Sequence, residues 1–140
     1  MVDQAKCDRL ISHISSYLAV LDSLRAVPLS EFLKNPDKIG NAKYHFIVGI
    51  EACIDLSNHI IASERFRIPQ DNADSFAVLA EQSIIPEGRI ASYMAMARFR
   101  NRLVHIYWDT DDKQIWEYLQ DCLDDLRMFI SAVSAYIDED

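Results

Sequence analysis

Turn-forming residues are scarce in this chain: three glycines and four prolines in 140 residues. That excludes a collagen-like or low-complexity chain and argues against a protein built from many short strands and tight turns. Three cysteines, Cys7, Cys53 and Cys122, are an odd number without metal-type spacing. They read as small reduced core residues rather than a disulfide framework. No apolar run is expected to reach membrane-spanning length. The first ten residues carry Asp3, Lys6, Asp8 and Arg9, which do not suit a secretory signal. The expectation is a cytoplasmic protein with no membrane partner.

What is present is helical material. Half of the residues are hydrophobic, and the length suits one compact domain over residues 1–140. Charge is unevenly spread around a net −8. Residues 88–108 hold Arg89, Arg98, Arg100 and Arg102 and no anion, whereas residues 109–140 hold ten anions against Lys113 and Arg127. The two stretches either neutralise each other as neighbours or set a small anion-binding patch within an acidic surround.

Apolar residues recur at helical spacing in residues 3–26, through Leu10, Ile14, Tyr17, Leu18, Leu21 and Leu24. Pro28 should stop that helix, and Ser30 could cap a short one to Leu33. "NPDKIGN" reads as a break, after which Asn41 opens a long helix over 42–65. A short helix over 75–82 follows. Pro86 then starts a helix over 87–108, and Asp111 or Asp112 caps a last helix over 113–136. Four long helices and short connections predict an all-α antiparallel bundle.

"RFRNRLVHIYWD" holds the cations beside one histidine and one tyrosine. On the helix over 87–108, Ile90, Met94, Ala97, Val104 and Trp108 form one stripe, with Asn101 in its middle. Asn101 should therefore be buried and hydrogen-bonded. Arg100 and His105 lie about 140° apart around an ideal helix. One small ligand can meet both only if the helix breaks near Val104, if long side chains curl around it, or if two chains contribute. Histidine moves protons near neutral pH, and arginine's planar fork matches a phosphate. The pair suits metal-free transesterification of RNA. Spacing alone also fits a histidine that merely interacts with the helix dipole at a C-terminus.

Arg100-Asn101-Arg102-Leu103-Val104-His105-Ile106-Tyr107 fits R-x4-H-x-Y, the motif of the HepT-like HEPN toxins, in its form with asparagine after the arginine. "YHFIVGIEACIDLSNHII" resembles the family's long second core helix. "FAVLAEQSIIPEGRIASYMAMARFRN" resembles its run into the motif helix. The resemblance implies a HEPN four-helix bundle that dimerises, with a ribonuclease cleft at the dimer interface. It also implies a minimal nucleotidyltransferase antitoxin as partner, which can silence the toxin by transferring AMP to the motif tyrosine. Carried over, Arg100 and His105 are catalytic, Asn101 is supporting, and Tyr107 is the AMP acceptor. Arg98 departs from the pattern, standing where relatives often carry a small residue, and would change the cleft width or add phosphate contact; Arg102 is a further candidate for RNA contact.

Glu51, Asp55 and His59 form a line along the long helix that a metal could use. Glu51, at the border of the apolar stripe, is better placed to pair with an arginine of the motif helix, in the same or the opposite chain. His13 and His45 have no obvious partner, and Trp108 and Trp116 read as packing residues. Three functions follow: a metal-independent endoribonuclease toxin with no cofactor, a non-catalytic helical module binding a nucleotide or a nucleotidyltransferase, and a metal-dependent activity from the Glu51 line.

Overall fold

The computed structural model describes residues 1–106, 109 and 111–138. Its helices are α1 (Gln4–Arg25), α2 (Leu29–Leu33), α3 (Pro36–Ser63), α4 (Asn72–Glu81), α5 (Ile90–His105), α6 (Asp112–Asp121) and α7 (Leu123–Asp138). A 3-10 turn, Glu87–Arg89, leads into α5. The described residues contain no strand. The architecture is the expected antiparallel bundle. α1 lies along α3, α7 covers α1, and α5 closes the other flank of α3 with α4 beneath it.

Local chemistry sets the helix starts. Asp3, Asn35, Asp71 and Asp111 each accept a backbone N–H with the side chain at the head of α1, α3, α4 and α6. This corrects the reading of α3. "NPDKIGN" is its first two turns and not a break: Asn35 caps it, Pro36 occupies the first turn where its missing N–H costs nothing, and Gly40 is carried inside. Ser30 is likewise inside α2, which Pro28 precedes with no side-chain cap.

The last helix is also not continuous. α6 ends at Asp121 and α7 begins at Leu123. Tertiary contacts hold α6 at that break. Arg25 donates to the Gln120 carbonyl at 2.8 Å, Gln120 donates to the Arg25 carbonyl at 3.1 Å, and Trp116 donates to the Val27 carbonyl at 2.9 Å. α6 is thereby fastened to the end of α1.

α3 is the central helix. Its length and mean hydropathy of 1.3 over 18 residues would let it cross a membrane, contrary to the expectation that no segment reaches that length. In the bundle, 56% of that window is buried, including Phe46, Ile50, Cys53, Ile54 and Leu56. At Gly49 α1 packs against α3 at ordinary distance: a Cβ there would lie 3.7 Å from the Cβ of Tyr17, a normal van der Waals contact. An aromatic cluster of Phe76, Tyr93 and Phe129 fixes the start of α5, with ring centroids 5.5–6.1 Å apart. Phe99 fixes its middle, stacked on Tyr118 at 3.9 Å and edge-on to Phe46 at 5.3 Å.

Candidate functional site

α5 presents the motif, and its buried face differs from the stripe read in the sequence. The core side chains are Tyr93, Met96, Ala97, Phe99 and Leu103. Of the described members of the expected stripe only Ala97 is buried; Ile90 and Met94 are half-buried and Val104 is 42% exposed. Asn101 is exposed and not buried. The error has a physical source. Two apolar stripes compete on this helix, and the one with Tyr93, Phe99 and Leu103 buries more area, because aromatic side chains dominate such a choice.

Arg100 therefore lies on the core side. Its side chain is only 19% exposed, and its Nη2 stands 3.5 Å from Oε2 of Glu51 on α3. Its Nη1 donates to Oδ1 of Asn101 at 3.1 Å. Its Nε is buried and has no hydrogen-bond partner. Such an orphan is costly unless something else approaches. Thus Glu51 and Asn101 together orient the guanidinium.

His105 closes α5 and is exposed. α5 is regular through His105, so the helix does not break at Val104. The roughly 140° offset between Arg100 and His105 stands, and Arg100 is turned towards α3. Arg98 and Arg102 are exposed. The guanidinium carbon of Arg102 sits 5.7 Å from the centre of the Phe99 ring. Tyr107 and Trp108, both singled out in the sequence, lie outside the described residues.

The line of Glu51, Asp55 and His59 does not converge. Among the described residues no three His, Cys, Asp or Glu side chains come close enough to hold a metal ion. Glu51 is with Arg100. His59 accepts the backbone N–H of Asp3 at 3.1 Å through Nε2, and burial followed by nearby Lys6 lowers its pKa. Burial, then Glu51, raises the pKa of Asp55, while Lys6 and Arg100 pull it back down. His45 and His13 do have partners. His45 Nδ1 meets the Asn41 carbonyl at 2.9 Å. Tyr17 lies between the two rings, 6.2 Å from His13 and 6.0 Å from His45.

None of the described motif residues lines the first of two clefts on α3. That cleft, about 500 Å³, sits between the end of α3 and the start of α4, around Asn58, Phe66 and Ser75. A second, about 440 Å³, lies between α1 and α3 around Lys6, Asp55 and His59. The first is built within residues 58–75, whereas the second joins Lys6 and Leu10 to residues about 50 positions further along the chain.

Residues 14–133 match the family described as ribonuclease HepT-like. A curated relative, the mRNA nuclease HepT of Shewanella oneidensis, is 34% identical over 85 residues, which are 61% of this chain and 64% of that protein. The tRNA nuclease HepT of Aphanizomenon flos-aquae is 22% identical over 124 residues, covering 89% and 84% of the two chains. The solved structure of a tri-AMPylated Shewanella oneidensis HEPN toxin in complex with its MNT antitoxin superposes with a TM-score of 0.85 at 26% identity, covering 96% of this chain and 99% of that one. The chain belongs to the HepT-like ribonuclease family.

Proposed function

From that membership we propose that this chain is the endoribonuclease toxin of a cytoplasmic toxin–antitoxin pair and cuts RNA without a metal ion. In this reading the ribose 2′ oxygen attacks the adjacent phosphorus and the bond to the 5′ oxygen breaks. The products are a cyclic 2′,3′-phosphate and a 5′-hydroxyl. His105 takes the 2′ proton or returns one to the leaving oxygen. Arg100 stabilises the charge that builds on the phosphoryl oxygens. Asn101 and Glu51 hold the guanidinium, and Arg98 and Arg102 draw the strand in. The observation that carries this reading is a motif arginine clamped by Glu51, with an exposed histidine five residues on, along the cation-rich helix of the chain.

The divergence of Arg100 and His105 favours a site completed by a second copy. Val104 and Ile106, each 42% exposed, flank His105 and supply apolar surface for that contact. In a homodimer crossing at α5, Arg100 of one copy approaches His105 of the other. The partner in this proposal is a minimal nucleotidyltransferase antitoxin, with Tyr107 accepting AMP; the Shewanella toxin is itself AMPylated and bound to an MNT antitoxin. The experiment is cleavage of RNA by the purified chain in the presence of a chelator. Wild type should cut and His105→Ala should not; failure of the unmodified wild type to cut any RNA ends the proposal. In that case a helical module that only binds a nucleotide or a nucleotidyltransferase becomes the better account.

A further inference from the structure

The exposed ridge of α3 continues past Glu51. Asp55 follows four residues on, then Asn58 and His59, each four-residue step advancing about 6 Å along the helix. Asp55 opens the cleft between α1 and α3, about 440 Å³, which is lined by Lys6, Leu10, Asp55, Asn58, His59 and Ala62. That size lies within the range of small-ligand sites, about 300–1,000 Å³. Asp55 lies one helical turn from Glu51, the partner of Arg100, and the charges of Lys6, Glu51 and Arg100 all act on it. The cleft is therefore next to the clamped arginine and not at a remote end of the bundle.

Two of its polar walls are oriented from outside. Ser75 Oγ donates to Asn58 Oδ1 at 2.6 Å, which leaves the amide N–H2 of Asn58 as its group not taken by Ser75. The backbone N–H of Asp3 donates to Nε2 of His59, so the neutral ring carries its proton on Nδ1. With the Lys6 ammonium, the cleft offers three kinds of donor. Asp55 supplies the carboxylate acceptor, and Leu10 and Ala62 supply apolar wall.

We infer that this cleft receives the base of the nucleotide beside the scissile phosphate, and that it selects guanine or uracil. The inference rests on the ribonuclease reading of Arg100 and His105. Guanine and uracil carry keto oxygens that meet the donors and a ring N–H that meets Asp55. Adenine and cytosine lack that ring N–H, so Asp55 loses the donor that pairs with it. Each also sets an exocyclic amine where guanine or uracil offers an oxygen, among the donors Lys6 and Asn58. A site built to pair a ring N–H and keto oxygens discriminates against bases that leave its polar groups unpaired.

The test is the cleavage pattern of a single-stranded RNA of random sequence, compared between wild type and Asn58→Asp. The substitution keeps an oxygen for Ser75 and replaces the donor N–H2 by an acceptor. Wild type should cut next to guanine or uracil about ten-fold more often than next to adenine or cytosine. Asn58→Asp should erase or reverse that preference. Lys6→Met, on the exposed side of α1, should weaken it with the Asn58–Ser75 contact intact. A wild-type pattern without base preference, or variants with the wild-type pattern, overturns the inference while leaving the ribonuclease reading in place. An NMR titration of the full chain with GMP, UMP, AMP and CMP, followed at the amides of residues 55–62, separates the two. Shifts with GMP or UMP that vanish in Asn58→Asp, in a protein that cuts no RNA, would retain the pocket and remove the ribonuclease.

Discussion

Arg100 on α5 and Glu51 on α3 form an ion pair across the bundle, Nη2 to Oε2 at 3.5 Å, with the arginine largely buried and the glutamate half exposed. The pair turns the motif arginine away from His105, which ends the same helix on an exposed face. A buried guanidinium held this way loses little freedom when it meets a phosphate.

Replacing Glu51 by glutamine keeps the shape but removes the charge that orients Arg100. RNA cleavage should fall by about ten- to a hundred-fold, in line with losing a charge-assisted contact of roughly 1.5–3 kcal/mol. In a double-mutant cycle with Arg100→Lys, the two losses should be clearly less than additive. Strict additivity, measured in steady-state cleavage, would mean that Glu51 does not act through Arg100.

A site shared between two copies predicts complementation. Arg100→Ala and His105→Ala proteins should each be inactive, yet mixing them under subunit exchange should restore one intact pair per heterodimer. The recovered rate should approach a quarter to a half of wild type, with the order of magnitude set by the heterodimer fraction. Val104→Glu should shift sedimentation towards the monomer and abolish cleavage. Inactive mixtures of demonstrated heterodimers would place both groups on one chain.

Arg67 ties the loop after α3 to α4, with Nη1 2.7 Å from Asp74 Oδ2 and Nη2 2.8 Å from Glu81 Oε1. Hydrogen bonds from Arg67 and then from the Gln70 backbone hold the Asp74 carboxyl down at about 2. Its folded pKa is depressed, so its stabilisation is present above the unfolded value, about 4, and is lost as pH falls through about 2. The stability gap between wild type and Arg67→Met should be flat from pH 5 to 8 and shrink between roughly pH 4 and pH 2. Urea unfolding across that range is the measurement; a gap that stays constant down to pH 2 contradicts the assignment.

α4 ends in a left-handed residue that is not glycine. Ser83 has φ 59°, and around it Ile84 N–H reaches the Leu79 carbonyl at 2.9 Å, the pattern of a helix stop that favours glycine. Ser83→Gly should stabilise the protein by up to about 1 kcal/mol, because the side chain makes this conformation costly. Equal or lower stability in chemical denaturation would show that the lost chain entropy outweighs the relief.

Much of the fold was legible in the chain. α1 follows its apolar spacing within one or two residues, and Asp111 caps α6 as its side chain suggested. The failures were local signals read without context. Asn35 and Pro36 began a helix instead of breaking one, and an unbroken apolar period at 113–136 hid the stop at Cys122, which depends on Arg25 and Gln120 from opposite ends of the chain. Within the candidate site, the pairing of Glu51 with a motif arginine was readable because a carboxylate at the border of the α3 apolar stripe needs a cation, and the motif helix is rich in them. The exposure of Asn101 was not, because two stripes on α5 compete.

Helical periodicity, capping residues and the R-x4-H-x-Y spacing are properties of neighbours along the chain, and the sequence by itself determined them: an all-α bundle with one cation-rich helix. Which face of α5 is buried, that Arg100 turns to α3 while His105 does not, and that Lys6, Asp55, Asn58 and His59 share a cleft were decided only by tertiary structure. These depend on packing area and on contacts between residues about 50 positions apart, whose energies have no periodic signature in the sequence.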